Sequence, residues 1–482
     1  MKSTGTGLLG FLEEHRQVRP VSFHMPGHKG SRIYFENGYG DFMKNAMDYD
    51  ITEIPGADNL FQTEGVIAET MEKYRKLYEV KKSYLLINGS SGGIISAILA
   101  SVSRGGKLVM ARNCHKSVFN AIYLGGMKPV YARPDVEKEY GILGGISSQE
   151  IARCLDENPD AEAVILPSPN YYGICSDIKA IAHEVHARGK ILIVDQAHGA
   201  HLKFFHKTLG EENTYPLTAE EQGADLVINS THKTLASWTQ TAILNVCSDR
   251  VDLQGLEDKL QAIESSSPSY PLMASLDINA DILNRNGDKL MREWDENLKE
   301  FYQKAQTIDK ISLITLPTID KTKINIDLSE AGITGLEAEK YLMTKGIFVE
   351  LVTGNILMCM SGIGNSREDY ARLVEALAEL TQSIDDEVPK SQEKECAKGK
   401  FAGILTKQLK ISDVPVEKEK VKLEGAEGRV CASSVIPYPP GVPMVCPGEI
   451  FDGDIIEYIR TLREAGEKVI GVDGECMVTV GK

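Results

Sequence analysis

The sequence predicts an α/β protein built on a mainly parallel seven-stranded sheet, followed by a smaller α/β domain and a short C-terminal domain. Three observations predict it. Short apolar runs bounded by polar turns recur between residues 83 and 246, as buried parallel strands do. Helical patterns separate most of these runs. Residues able to carry chemistry follow the carboxyl ends of the runs, where open α/β sheets place their sites.

Taken in order, residues 1–45 show little periodicity and are expected to form an extended N-terminal arm, packed across the main domain or on another subunit. The arm contains Phe23-His24-Met25-Pro26-Gly27-His28-Lys29-Gly30, a rigid polar turn. Residues 46–308 are expected to form the large domain. It opens with acids around a Pro-Gly turn, Asp48 to Asn59, and a helix marked by Val66, Ile67, Met71, Tyr74 and Tyr78. Strands are then expected at Ser83 to Ile87, Lys107 to Met110, Lys128 to Ala132, Ala163 to Pro167, Ile191 to Asp195, Asp225 to Ser230 and Thr241 to Val246. Helices are expected at Ser148 to Asn158 and Asp177 to Arg188, and a long one runs to about Ile308. A looser alternation over 309–384 predicts the small domain. The charged stretch 385–400 reads as a linker. Residues 401–482, with the turns Ile436-Pro437-Tyr438-Pro439-Pro440-Gly441-Val442-Pro443 and Pro447-Gly448-Glu449, read as a final domain.

Two features within the large domain point to a cofactor. The first strand opens into Asn88-Gly89-Ser90-Ser91-Gly92-Gly93 before the helical run Ile94 to Ser103. A strand, a small-residue turn and a helix amino terminus make an anion site, because free N–H groups and the helix dipole face its occupant. It is neither a Walker loop nor a full dinucleotide fingerprint. Further on, one strand ends in Asp195 and a later one leads into Ser230-Thr231-His232-Lys233. Lysine forms a Schiff base with an aldehyde, and pyridoxal phosphate is an aldehyde whose ring nitrogen pairs with a carboxylate. His115 follows the strand Lys107 to Met110, where a flat imidazole suits stacking on an aromatic cofactor. His183 and His186 read as a solvated helix face. Asp195, His198 and His201 also suit a metal triad, but the lysine and the anion turn favour the aldehyde cofactor, and no metal is expected.

Composition narrows the class of partner. The 482 residues carry a formal net charge of −16, which argues against nucleic acid and anionic membrane. The nine cysteines are scattered and odd in number, with no Cys-x-x-Cys pair, so neither a disulfide framework nor a thiolate metal site is expected. No run approaches the roughly 20 apolar residues that span a bilayer, and no signal pattern opens the chain. A cytoplasmic location is expected.

Together these residues resemble the prokaryotic ornithine/lysine/arginine decarboxylase family, whose members are fold-type-I (aspartate aminotransferase-like) pyridoxal phosphate enzymes. The resemblance runs nearly end to end. It rests on His24-Met25-Pro26-Gly27-His28-Lys29-Gly30, Asp50-Ile51-Thr52-Glu53, Asn88-Gly89-Ser90-Ser91, Ser230-Thr231-His232-Lys233, Ser267-Pro268-Ser269-Tyr270 and the Pro-Gly turns of the tail. It implies that Lys233 carries the cofactor, Asp195 pairs with the ring nitrogen, His115 stacks on the ring and His198 lies near its phenolic edge. Ser90, Ser91, Gly92, Ser230 and His232 would hold the phosphate. Departures from the family pattern are Gln196 for an expected glutamate, Asn170 for a threonine, and Trp238 and Glu264 for small or hydroxylic residues.

The resemblance implies decarboxylation of a basic L-amino acid. Arginine, giving agmatine, comes first by similarity to compact arginine decarboxylases of polyamine synthesis, ahead of lysine and ornithine. Lys233 or His115 would return the proton to Cα. Glu350, Glu449, Asp50 and Glu53 are candidate acids for the substrate's distal cation. A homodimer or larger homo-oligomer is expected. Rival readings are an aminotransferase or other lyase on the same fold, and a catalytically silent regulatory homologue.

Overall fold

A computed structural model describes residues 7–384, 400–406, 414–437, 441–464, 466 and 468–482. The expected linker therefore lies outside the described residues except for Lys400, as do Tyr438, Pro439 and Pro440 of the tail turn.

Seven strands form the central sheet: β1 (Lys82–Leu86), β2 (Lys107–Ala111), β3 (Lys128–Ala132), β4 (Ala161–Pro167), β5 (Ile191–Asp195), β6 (Leu226–Asn229) and β7 (Ala242–Val246). Their order across the sheet is β1-β7-β6-β5-β4-β2-β3. All neighbouring pairs are parallel except those of β7, which runs antiparallel to β1 and β6. The strands are long in Val, Ile and Leu because helices cover both faces; β6 and β7 are buried at every position. The parallel arrangement brings the carboxyl ends of β2, β4, β5 and β6 to one edge.

The helix expected from Ile94 begins five residues earlier, as Gly89–Ser101. Its start is set from a distance. The Glu264 carboxylate accepts from the backbone N–H groups of Ile87 (3.1 Å) and Asn88 (2.9 Å), the two residues just before the helix, and so holds the turn that leads into it. A 36-residue helix, Tyr270–Ala305, then crosses the molecule with Pro271 in its first turn. Its buried face includes Leu276, Leu283, Met291, Trp294, Leu298 and Phe301.

Beyond it, β8 (Ser312–Leu313), β9 (Lys323–Asp327), β10 (Leu351–Thr353) and β11 (Ile356–Met360) form an antiparallel sheet in the order β8-β9-β11-β10. Apolar residues of this part join the same core as the central sheet, whereas the tail packs Leu405, Leu423, Phe451, Ile455 and Ile459 into a second core that also takes in Leu143 of the large domain. No described helix is long and apolar enough to cross a membrane.

The arm is not extended. It contains the helices Leu8–Gln17, Arg32–Glu36 and Gly40–Lys44, and its strand Val21–Phe23 pairs in parallel with Ile347–Val349. Two of these helices are five residues long, too short to leave a periodic pattern in the sequence. Nor is His186 a solvated residue: its Nε2 lies 2.9 Å from the buried Asp225 carboxylate, although His183 is exposed.

Candidate active site

Lys233 stands in a single-turn helix, Thr231–Thr234, immediately after β6. The turn is fixed by neighbours on both sides. His232 shares its Nδ1 with the Thr241 carbonyl at 2.6 Å, and Ser237 Oγ donates to Thr231 Oγ1 at 2.7 Å. The arm closes over it where Gly27 N donates to the His232 carbonyl at 2.7 Å. A Cβ on Gly27 would sit 2.4 Å from the Thr234 carbonyl carbon and 2.5 Å from the Leu235 oxygen. Gly27→Ala is therefore expected to cost about 1–3 kcal/mol of stability, read by urea unfolding, and to weaken cofactor retention by displacing the lysine turn.

The Lys233 side chain faces a cavity lined by Ser90, His115, Asp195, His198, Tyr171 and Glu350, with Met25, Asn113 and Val442 at its walls. Lys233 Nζ lies 2.9 Å from His198 Nε2. Burial pushes the lysine amine down to about 8, opposed by the charges of Asp195 and Glu350. Burial also raises the Asp195 carboxyl, with Lys233 and the Ala197 N–H (3.1 Å) pulling it back down. His115 caps the helix Lys116–Gly125 through Nδ1, and burial with the nearby Lys233 and Lys116 charges pushes its imidazole down to about 3. It is a neutral ring across the physiological range.

Five of the sequence-derived residues, Ser90, His115, Asp195, His198 and Lys233, thus line one cavity. Ser91 and Gly92 do not line it; they lie in the first helical turn beside Ser90. Ser230 and His232 precede Lys233 in the same turn and are buried. Of the acids considered for a distal cation, only Glu350 is on the cavity wall. Its Oε2 accepts from Met25 N (2.9 Å) and its Oε1 from Tyr171 OH (2.7 Å). Asp50 is exposed elsewhere, and Glu449 is engaged with Arg112 at 3.0 Å. His201 turns away from any metal arrangement, 3.0 Å from Asp320, and no metal-binding cluster occurs among the described residues.

Tyr171, Asn113 and Val442 were not found from sequence. Each lies within a few residues of a strand end or Pro-Gly turn that was found, but none belongs to a residue type that announces chemistry. Two departures from the family pattern prove structural. Asn170 donates to the Leu143 (2.8 Å) and Gly144 (3.1 Å) carbonyls and accepts from Tyr172 and Ile174 N–H (both 3.0 Å), so all its polar atoms serve the backbone. Gln196 donates to Glu220 at 2.8 Å and accepts from Ala219 N at 2.7 Å, where a glutamate would set two carboxylates together.

The polar atoms around the cavity fit a polar ring-bearing ligand with an anionic tail. His198 Nδ1, Ser230 Oγ and Asn113 Oδ1 are buried without a hydrogen-bond partner, and the Gly89–Ser101 amino terminus has no side-chain cap from Asn88. Buried polar groups are ordinarily paired, so these are groups awaiting a partner.

The matches of this chain to known proteins agree with that chemistry. The family model "Orn/Lys/Arg decarboxylase, major domain" matches residues 6–323, and its C-terminal domain matches residues 405–477. The chain belongs to the Orn/Lys/Arg decarboxylase family. It is 31% identical to the arginine decarboxylase of Bacillus subtilis (98% of this chain, 96% of the relative). It is 32% identical to that of Halalkalibacterium halodurans (98% and 97%). Among solved structures, lysine decarboxylase A from Pseudomonas aeruginosa is similar with a TM-score of 0.75 at 20% identity, covering 98% of this chain and 80% of that one. The Orn/Lys/Arg decarboxylase described here is a pyridoxal phosphate-dependent amino-acid decarboxylase with the fold-type-I architecture.

Proposed function

We propose that the enzyme decarboxylates L-arginine to agmatine and CO₂, with lysine or ornithine as the alternative substrate. The observation that carries the choice of a basic substrate is Glu350, a carboxylate on the same cavity wall system as Lys233. The near full-length similarity to arginine decarboxylases favours arginine within that class.

In this reading Lys233 carries the cofactor, Asp195 serves its ring nitrogen, and His115 and His198 flank the ring. Ser90, Ser91, Gly92, Ser230 and His232 serve its phosphate. Pyridoxal phosphate, when bound, supplies an aldehyde for the lysine amine and a ring that takes up the electron pair left as CO₂ departs. The protein's own groups do the rest. Lys233, at about 8, holds and delivers a proton to the substrate Cα near neutral pH, whereas His115, at about 3, has none to give. His198 Nε2, 2.9 Å from the amine, orients it.

Glu350 receives the guanidinium, its oxygens already aimed by Met25 N and Tyr171 OH. Losing a charge-assisted bond of this kind costs about 1.5–3 kcal/mol. Glu350→Gln is expected to raise KM for arginine on the order of ten- to a hundredfold while kcat changes less. Equal loss in kcat and kcat/KM would contradict the assignment.

The active species is proposed to be a homodimer or larger homo-oligomer, consistent with exposed Met47, Tyr49, Ile51, Ile54 and Val66. Sedimentation that finds an active monomer would contradict it. The eight cysteines among the described residues form no disulfide, which suits the cytoplasmic location proposed for it. Mass analysis of the arginine reaction tests the whole reading: agmatine is expected, and a keto acid would favour an aminotransferase.

A further inference from the structure

Behind the cavity lies a lysine that the chemistry above does not use. Lys323, the first residue of β9, is fully buried, and its Nζ donates to the His198 carbonyl at 3.3 Å. Its stem packs over Gly173, where an added Cβ would come within 2.9 Å of Lys323 Cβ and Cγ. Gly173 itself has φ +92°, so only glycine suits that turn without strain.

A buried ammonium normally needs a carboxylate held close. The Asp320 carboxylate is 4.0 Å from Lys323 Nζ, and it is already occupied. It lies 3.0 Å from His201 Nε2, accepts from Thr322 Oγ1 at 2.8 Å and accepts from Thr322 N at 3.0 Å. His201 in turn places Nδ1 3.1 Å from the hydroxyl of Thr234, the residue after Lys233. Two threads therefore run from this segment to the lysine turn. One passes through the His198 backbone to the imidazole beside Lys233 Nζ; the other passes through Asp320 and His201 to Thr234.

We propose that Lys323 is a positioning residue for the reaction, a buried amine that fixes the His198 turn from behind and so sets the surroundings of the Lys233 amine. The inference rests on Lys233 being the cofactor-bearing residue. The titratable groups acting on Lys233 and its neighbours are Asp195, Glu350, His115, His198 and His232; burial pushes Lys323 itself down, Asp320, Glu350 and Cys175 pull it back up, and it repels Lys29 in turn. Asp195 and Glu350 favour the charged Lys233; Lys323 opposes them. Without that opposition the amine would hold its proton to higher pH and capture an aldehyde more slowly near neutrality.

The test is the rate at which the full-length chain, stripped of cofactor, takes up pyridoxal phosphate as a function of pH, followed by absorbance. Wild type is expected to reach half-maximal rate near pH 8. Lys323→Met is expected to move that midpoint up, and Lys323→Arg to restore it. Should Lys323→Met fail to unfold cooperatively, Lys323→Gln, which keeps a donor for the His198 carbonyl without the charge, must raise the midpoint in its place. An unmoved midpoint in a folded neutral variant would overturn the inference. Uptake that persists in Lys233→Ala would instead overturn the assignment of Lys233, so the two failures are distinguishable.

Discussion

Lys233→Ala is expected to lower kcat by on the order of 10⁴ or more with every basic substrate, without harming the fold. The amine's hydrogen bond is to His198 Nε2, and burial already penalises its charge. Deleting it removes the nucleophile for the cofactor aldehyde and the donor of the Cα proton together, two functions no neighbour can assume. His115 is held neutral, and His198 is pushed well below the usual imidazole range by burial and the Lys233 charge. Thermal unfolding should be unchanged or shifted slightly upward, because a poorly solvated amine is gone. Residual activity within tenfold of wild type would refute the role.

The second large effect is structural. Arg112 is almost wholly buried between β2 and the tail, donating to the Pro443 and Met444 carbonyls (both 2.8 Å) and paired with Glu449 at 3.0 Å. Its guanidinium also lies 5.6 Å from the Phe119 ring centre and 5.3 Å from that of Tyr131. Arg112→Met leaves a buried Glu449 without its cation, and breaking such a pair from one side costs about 3–5 kcal/mol. The same change frees the Pro443 and Met444 carbonyls, adjacent to the Val442 that lines the cavity, so cofactor retention should fall with stability. Removing both partners, in Arg112→Met with Glu449→Met, is expected to recover only the part of the loss due to the unpaired carboxylate, because the Pro443 and Met444 carbonyls and the Cys446 N–H stay without their partners. A single-variant cost below about 1 kcal/mol in urea unfolding would show that the tie is dispensable.

The sheet was legible because buried parallel strands are near-continuous apolar runs. β3 and β5 have the expected limits, and the other five differ by no more than two residues at either end. The catalytic edge was legible for a related reason: polar residues directly after such runs stand out, as Asp195, His115 and Lys233 do. What stayed hidden depends on partners far away in the chain. Glu264 holds the turn into the Gly89–Ser101 helix from 176 and 177 residues beyond the groups it accepts from. Arg112 finds Glu449 more than 300 residues later, and Lys323 meets His198 from another sheet. In sequence each is a charged residue of the kind that usually faces solvent. The arm was misread as extended because its helices near Arg32 and Gly40 are single turns held by the rest of the fold.

The most direct test of the central claim is release of labelled CO₂ from carboxyl-labelled arginine, lysine and ornithine, each incubated separately with the purified enzyme and pyridoxal phosphate. Release from arginine at the highest kcat/KM, lost in Lys233→Ala, is the predicted result. No release from any of the three by a protein that has bound the cofactor would contradict it.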